Sequence, residues 1–297
     1  MTTARLEGRP VAEALLDGCR QRIADGAARG APAPTLVSVH RGEATPFAVY
    51  LRQQGRVATS AGLTFRAEAL PPGAGPTELS RRVAALDADP GVHGVLVEHP
   101  LPSALDFPAA VARLRPEKDV DGVSATSLGR LVEGDPVHVP AVARAALALA
   151  EHHRVRLAGE RVAVVGRSPT VGLPLALLLA GRDVNATVTV VHSRTADLAA
   201  ALAGVTVVFS AAGVPKLLTR STVPEGATVI DIGLSRLDDP TAPSGGRMVG
   251  DADASDLDGW AAALSPVPGG VGPVTVARLM ANAVDGWSRL TAPAAAR

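Results

Sequence analysis

Two glycines and a short polar turn are the first residues whose types and spacing could do chemistry. In "RVAVVGRSPTVGLPLALLLA" (161–180), Gly166 closes a β-branched run and Gly172 opens an apolar Ala/Leu run. The pattern predicts a buried strand, a tight turn and a helix, with backbone N–H groups around Ser168 to Val171 facing a pyrophosphate at the helix N-terminus. The motif is not G-x-G-x-x-G: Ser168 stands at the second glycine position and Val171 at the third, so an ordinary strand–turn–helix is the competing reading. The following strand run sharpens the choice. It ends "VVHSRT", where an NAD site usually places a carboxylate for the ribose 2′-hydroxyl. Ser193 and Arg194 instead offer a hydroxyl and a guanidinium, which suit a 2′-phosphate and favour NADP; a solvated loop arginine is the alternative for Arg194.

A second set lies in the first half of the chain. Phe47, Tyr50, Gln54, Val57, Ala58 and Ala61 form one stripe at i, i+3, i+4 spacing, so Tyr50, the only tyrosine, projects together with Gln54. The stripe reads either as core with a buried phenol or as a ligand-facing ring beside an amide. In "EKDVDG", Asp119 and Asp121 precede Gly122 in a loop, where a capping carboxylate is the plain reading of Asp121.

Elements of two periods must hold these residues. Strands are predicted at 35–40, 63–70, 94–99, 161–166, 186–192, 205–211 and 227–233, with helices near 45–61, 76–88 and 140–153 and a closing helix from Pro273 to Leu290. Strand–helix alternation over 297 residues argues for an α/β protein of two domains with mostly parallel sheets, and "DDPTAPSGG" (238–246) reads as a surface turn. Formal net charge is zero and no basic run marks a nucleic-acid partner. The single Cys19 argues against a disulfide framework and a cysteine zinc site, and no metal is expected. The start "MTTARLEGRP" lacks a signal-peptide pattern, and the longest apolar run, "GLPLALLLA", is too short for a membrane span, so a soluble cytoplasmic protein is expected. Of 29 basic residues only Lys118 and Lys216 are lysines. This fits the drift of a GC-rich genome, which exchanges lysine for arginine but not for glutamine.

"VVGRSPTVGLPLA", "VVHSRT", "VFSAAGVP", "VIDIG" and "SPVPGGVGPVTVARLMAN" occur in that order, preceded by Tyr50, "GVLVEHPLP" and "KDVDG". Together they resemble the methylenetetrahydrofolate dehydrogenase/cyclohydrolase family over nearly the whole chain. The resemblance implies an N-terminal α/β catalytic, folate-binding domain (1–139, plus the C-terminal helix 275–297) and a C-terminal Rossmann-type NAD(P) domain (140–274), joined by two long helices and facing each other across a cleft, in a homodimer. It implies a cofactor site at Gly166, with Arg167, Ser168, Ser193 and Arg194 as contacts to the cofactor phosphates, and Ile232 and Thr275 near the nicotinamide. Tyr50 would stack on the folate, Asp121 would hold the polar edge of the pterin, and the loop Pro266 to Pro273, with Pro268, Gly269 and Gly270, would return the chain between domains beside the substrate.

The chain departs from the family pattern in three places. Four residues after the tyrosine the family has a lysine, the general acid/base of the cyclohydrolase step; here it is Gln54, whose amide exchanges no proton near neutral pH. The flanking Arg52 and Arg56 are on other faces and do not readily deprotonate. The family's glutamine and leucine in the "GVLVEHPLP" segment are replaced by Glu98 and His99. Glu98 reads either as a base or cation-binding group, or as a hydrogen-bond partner of the Gln54 amide; His99 either assists or lies at the surface. The family's Pro-Cys-Thr-Pro motif with its following glycine is "PAVARA" from Pro140. The expectation is an NADP-dependent dehydrogenase of 5,10-methylenetetrahydrofolate with the cyclohydrolase step weak or absent. A family paralogue oxidising another carbon–nitrogen substrate and an inactive NADP- or folate-binding module are the rivals.

Overall fold

The structure, a computed structural model, describes residues 2–41, 45–98, 101, 105–239 and 246–292, without the side chains of 45–49. The chain opens with β1 (Ala4–Arg5), α1 (Arg9–Ala28), β2 (Thr35–His40), α2 (Thr45–Ser60), β3 (Thr64–Ala69), α3 (Pro76–Ala88) and β4 (Gly94–Val97). It continues through α4 (Phe107–Val111), α5 (Ala125–Glu133), α6 (Ala141–His152), β5 (Arg161–Val165), α7 (Gly172–Ala180), β6 (Thr187–Val191), α8 (Leu198–Leu202), β7 (Val207–Ser210) and β8 (Thr228–Asp231). β9 (Ser235–Asp238), β10 (Gly246–Val249), α9 (Ala254–Leu257), β11 (Ala263–Leu264) and α10 (Val271–Thr291) complete it.

These elements form two compact units, Glu13–Ala141 with Val276–Arg297, and Met1–Ala12 with Val142–Thr275. The chain crosses from one to the other within α1, at the start of α6 and within α10. The sequence expectation started its first domain at residue 1, whereas residues 1–12 group with the unit that holds β5 to β8. The reason is long-range pairing: β1 runs parallel to β11 (Ala4↔Ala263), and the Gly8 N–H donates to the Gly269 carbonyl at 2.8 Å. The expected turn at 238–246 is flanked by an antiparallel pair, β9 and β10; residues 240–245 lie outside the described ones.

In the unit that begins at Glu13, β3, β2 and β4 form a parallel sheet. Alternation along the strands separates two cores. Val37, Val39, Val95 and Val97 pack with Leu79, Val83 and Leu86 of α3. Leu36 and Leu96 face the other way, against Ala58 of α2 and Met280, Ala283 and Trp287 of α10. With both faces covered, the buried part of β2, Leu36 to Val39, is apolar except for Ser38.

The other unit is a parallel six-stranded sheet in the order β1-β11-β8-β7-β5-β6. From β5 the chain goes to β6 on one side and to β7 on the other. That reversal leaves a crevice at the carboxyl ends of β5 and β7, where open α/β sheets bind ligands. Among the described residues no helix is long and apolar enough to cross a membrane, and no His/Cys/Asp/Glu group could hold a metal ion.

Candidate functional site

The sheet of the first-described unit brings one set of side chains together. Ser38 pairs with Leu96 in register, and Glu98, two residues on, shares the face of Leu96. The Ser38 hydroxyl accordingly donates to Glu98 Oε1 at 2.7 Å, both groups being buried. α2 packs over that face. Leu51, Gln54 and Ala58 are buried along it and Tyr50 is half-buried, while Arg52 and Arg56 point to solvent.

Gln54 has no exposed surface, and neither its Nε2 nor its Oε1 has a hydrogen-bond partner among the described residues. It lies against Tyr50 and Glu98 closely enough to ease the upward pKa shift of both, but without hydrogen-bond geometry to either. Burial pushes the Tyr50 phenol up to about 12, with the Glu98 and Asp121 carboxylates adding to the shift, so the phenol stays protonated. Burial likewise raises the Glu98 carboxyl, and its Ser38 hydrogen bond opposes the rise.

The two aspartates of the loop divide their work. Asp119, alongside Val95 at the sheet edge, accepts from the N–H groups of Gly122, Val123 and Ser124 and from the Ser127 hydroxyl, at 2.7–3.3 Å. It closes the loop, while Ser124 caps α5. Asp121 is left half-buried beside Tyr50 and Glu98, its carboxyl pushed up to about 7 by burial, then by Asp119 and Glu98. Gly122 makes this loop possible: its φ is +68°, and a Cβ there would lie 2.9 Å from the Pro140 nitrogen. The lysine of the same segment is structural, with the Lys118 Nζ donating to the carbonyls of Leu86, Asp87 and Asp89 at the C-terminal end of α3. Tyr50, Gln54, Glu98 and Asp121 are thus neighbours, and Ser38 joins them. His99 lies outside the described residues.

In the other unit the strand–turn–helix forms as read. Gly166 has φ +120° and a Cβ there would lie 2.4 Å from the Ala211 carbonyl oxygen; one on Gly172 would lie 2.3 Å from the Gly166 oxygen. Only glycine allows this closeness. The Val171 N–H, expected to face a phosphate, is instead taken by Ser168 Oγ at 3.2 Å, with the Gly172 N–H at 3.4 Å. Arg167, Ser193 and Arg194 are exposed, and their side chains have no ion pair or hydrogen bond among the described residues. The turn beneath the latter two is closed by Thr195 Oγ1 accepting from the His192 N–H and by His192 Nδ1 accepting from the Arg194 N–H. Two unpaired guanidiniums and a hydroxyl on the turns after β5 and β6 suit a dinucleotide phosphate group.

Two buried carboxylates missed in the sequence shape the rest of the crevice. Asp251 accepts from the Ser210 hydroxyl and from the N–H groups of Ala212 and Val214, fixing the loop after β7. Asp231 accepts from the N–H groups of Gly233, Asp251 and Ala252, which fixes Ile232 between them. Burial pushes the Asp231 carboxyl up to about 6, against the pull of these N–H groups. Gly269, with φ +116°, follows Pro268, and the Gly270 N–H donates to the Pro266 carbonyl at 2.7 Å. α10 starts at Val271, so only the first part of the expected Pro266–Pro273 loop is non-helical, and Thr275 Oγ1 is turned back on the Val271 carbonyl.

Residues 6–121 match the tetrahydrofolate dehydrogenase/cyclohydrolase catalytic domain, and residues 140–291 match the NAD(P)-binding domain of the same proteins. The chain belongs to the tetrahydrofolate dehydrogenase/cyclohydrolase family. The bifunctional protein FolD of Synechococcus sp. (strain WH7803) is 38% identical over 285 residues, covering 96% of this chain and 94% of that protein. Among solved structures, the Trypanosoma brucei N5,N10-methylenetetrahydrofolate dehydrogenase-cyclohydrolase, complexed with NADP cofactor and an inhibitor, superposes with a TM-score of 0.91 at 35% identity, covering 97% of this chain and 98% of that one. A 5,10-methylenetetrahydrofolate dehydrogenase from the silkworm, Bombyx mori, gives 0.88 at 30% identity with the same coverage. The Tyr50 cluster falls within the family's catalytic domain and the Gly166 turn within its NAD(P)-binding domain.

Proposed function

We propose that the protein oxidises 5,10-methylenetetrahydrofolate to the 5,10-methenyl cation with NADP, and that its cyclohydrolase step is weak or absent. The observation that carries this reading is Gln54: on the Tyr50 face of α2, wholly buried, it stands where the family resemblance expects a proton-transferring lysine.

In this reading the Tyr50 ring is the platform for the flat pterin. Its neutral phenol and the Gln54 amide offer hydrogen bonds, and the Asp121 carboxyl takes the pterin N–H edge. Arg167, Ser193 and Arg194 hold the cofactor phosphates, the 2′-phosphate among them, with Gly166 allowing backbone approach; Ile232 and Thr275 lie toward the nicotinamide. The bound nicotinamide supplies the hydride acceptor. What the chain must provide for hydride transfer is orientation and exclusion of water, which an amide serves. Hydrolysis of the methenyl product also needs a group that exchanges a proton, a contribution of roughly 10²–10⁴ in rate. Spectrophotometric assay of both steps on the purified chain tests the reading. NADP-dependent turnover with methenyl hydrolysis slower by about two orders of magnitude or more is expected; comparable rates would sink it.

A second reading, that the enzyme oxidises a different carbon–nitrogen substrate, draws on the joint change of Gln54, Glu98 and the "PAVARA" segment. Calorimetry separates the two: NADP binding without tetrahydrofolate binding would favour the second.

A further inference from the structure

The Tyr50 cluster has a charge balance that hydride transfer alone does not explain. Glu98 and Asp121 are both carboxylates, close enough that Glu98 helps to raise the Asp121 carboxyl. Tyr50 adds no compensating charge, and among the described residues no lysine, arginine or histidine pairs with Glu98. A carboxylate buried to this depth is ordinarily paired. Glu98 is also held rather than loose: Ser38 fixes Oε1, and Oε2 has no hydrogen bond among the described residues. Beside it the Gln54 amide, with no exposed surface, has both polar atoms unpartnered. A fully buried amide without partners, set between a phenol and a carboxylate, points to a ligand that completes the cluster.

We propose that Glu98 is the countercharge for an amidinium cation, held by Ser38 so that the oxidised ligand is bound more tightly than its neutral forms. This rests on the functional reading above. Oxidation removes a hydride with its electron pair from the methylene carbon, and the oxidised nicotinamide takes it up. The two flanking nitrogens share the single positive charge left behind, and no proton enters or leaves the carboxylate. Glu98 then favours the charge as it develops. A lysine at position 54 would oppose the same charge, and Gln54 does not. The raised Glu98 carboxyl is consistent with a group whose partner is the ligand itself.

The test compares two ligands that differ in this charge. Wild type and Glu98→Gln are titrated calorimetrically with freshly prepared 5,10-methenyltetrahydrofolate, a cation, and with tetrahydrofolate, which lacks the amidinium. Wild type should prefer the cation, and Glu98→Gln should reduce the cation-to-neutral affinity ratio by about ten- to a hundredfold, as for removal of one buried countercharge. Ser38→Ala, which only loosens the carboxylate, should reduce the ratio less. A purely structural role for Glu98 would weaken both ligands equally, so two measurable affinities with an unchanged ratio overturn the countercharge and leave the dehydrogenase reading standing. Binding of neither folate by wild type overturns both.

Discussion

Position 54 cannot be understood without position 98. A lysine substituted for Gln54 would bring its ammonium against the buried Glu98 carboxylate, whose upward shift the neighbouring amide already eases. An ion pair there favours the charged form of both partners and holds the ammonium protonated, which spoils it as a base. Gln54→Lys alone should therefore raise methenyl hydrolysis by less than about tenfold, well short of the full contribution of a positioned acid–base group. Gln54→Lys combined with Glu98→Gln removes the trap, and the double variant should exceed the product of the two single effects. A double-mutant cycle on the hydrolysis rate checks this. Strict additivity would mean that the two side chains act independently.

At the scale of elements, the site is assembled by a sheet edge, one helix face and one loop, and the loop is the most constrained. Gly122 combines φ +68° with a close approach to Pro140, so Gly122→Ala should cost on the order of 1–3 kcal/mol. Because Asp121 precedes it, tetrahydrofolate affinity should fall while NADP affinity is kept; equal loss of both would show that the loop does not position Asp121. These elements differ in how far they could be read beforehand. β2 and α3 have the bounds expected from periodicity, and the α2 stripe places Tyr50 with Gln54 as its spacing requires. The α1 helix was not read: its packing depends on Gly26, where a Cβ would lie 2.0 Å from the Trp287 ring, a contact across most of the sequence. β1 and β11 are two-residue strands paired over more than 250 positions, beyond any local pattern. Ser38 had a signal, the one polar residue inside a buried strand, but its partner depended on register. The capture of the Val171 N–H by Ser168 depended on turn geometry that the glycine spacing does not specify.

For the molecule as a whole, each unit carries a carboxylate whose pKa folding raises, the half-buried Asp121 to about 7 in one and the buried Asp231 to about 6 in the other. The folded state holds each proton more tightly than the unfolded chain does. Their contribution to stability is thus full below the unfolded value of about 3.9 and is lost as pH rises through the folded value. For Asp231, which is almost wholly buried, the loss between about pH 4 and 7 should be on the order of 2–3 kcal/mol. Other groups also titrate in this range, so the decisive quantity is a difference of slopes. Denaturant unfolding of wild type and Asp231→Asn across that interval should show the variant losing less stability with rising pH. Its absolute stability can lie either way, since the amide cannot accept at every position that now takes an N–H from Gly233, Asp251 and Ala252. Parallel pH profiles would mean that Asp231 is ionised throughout and that its three N–H donors outweigh its burial.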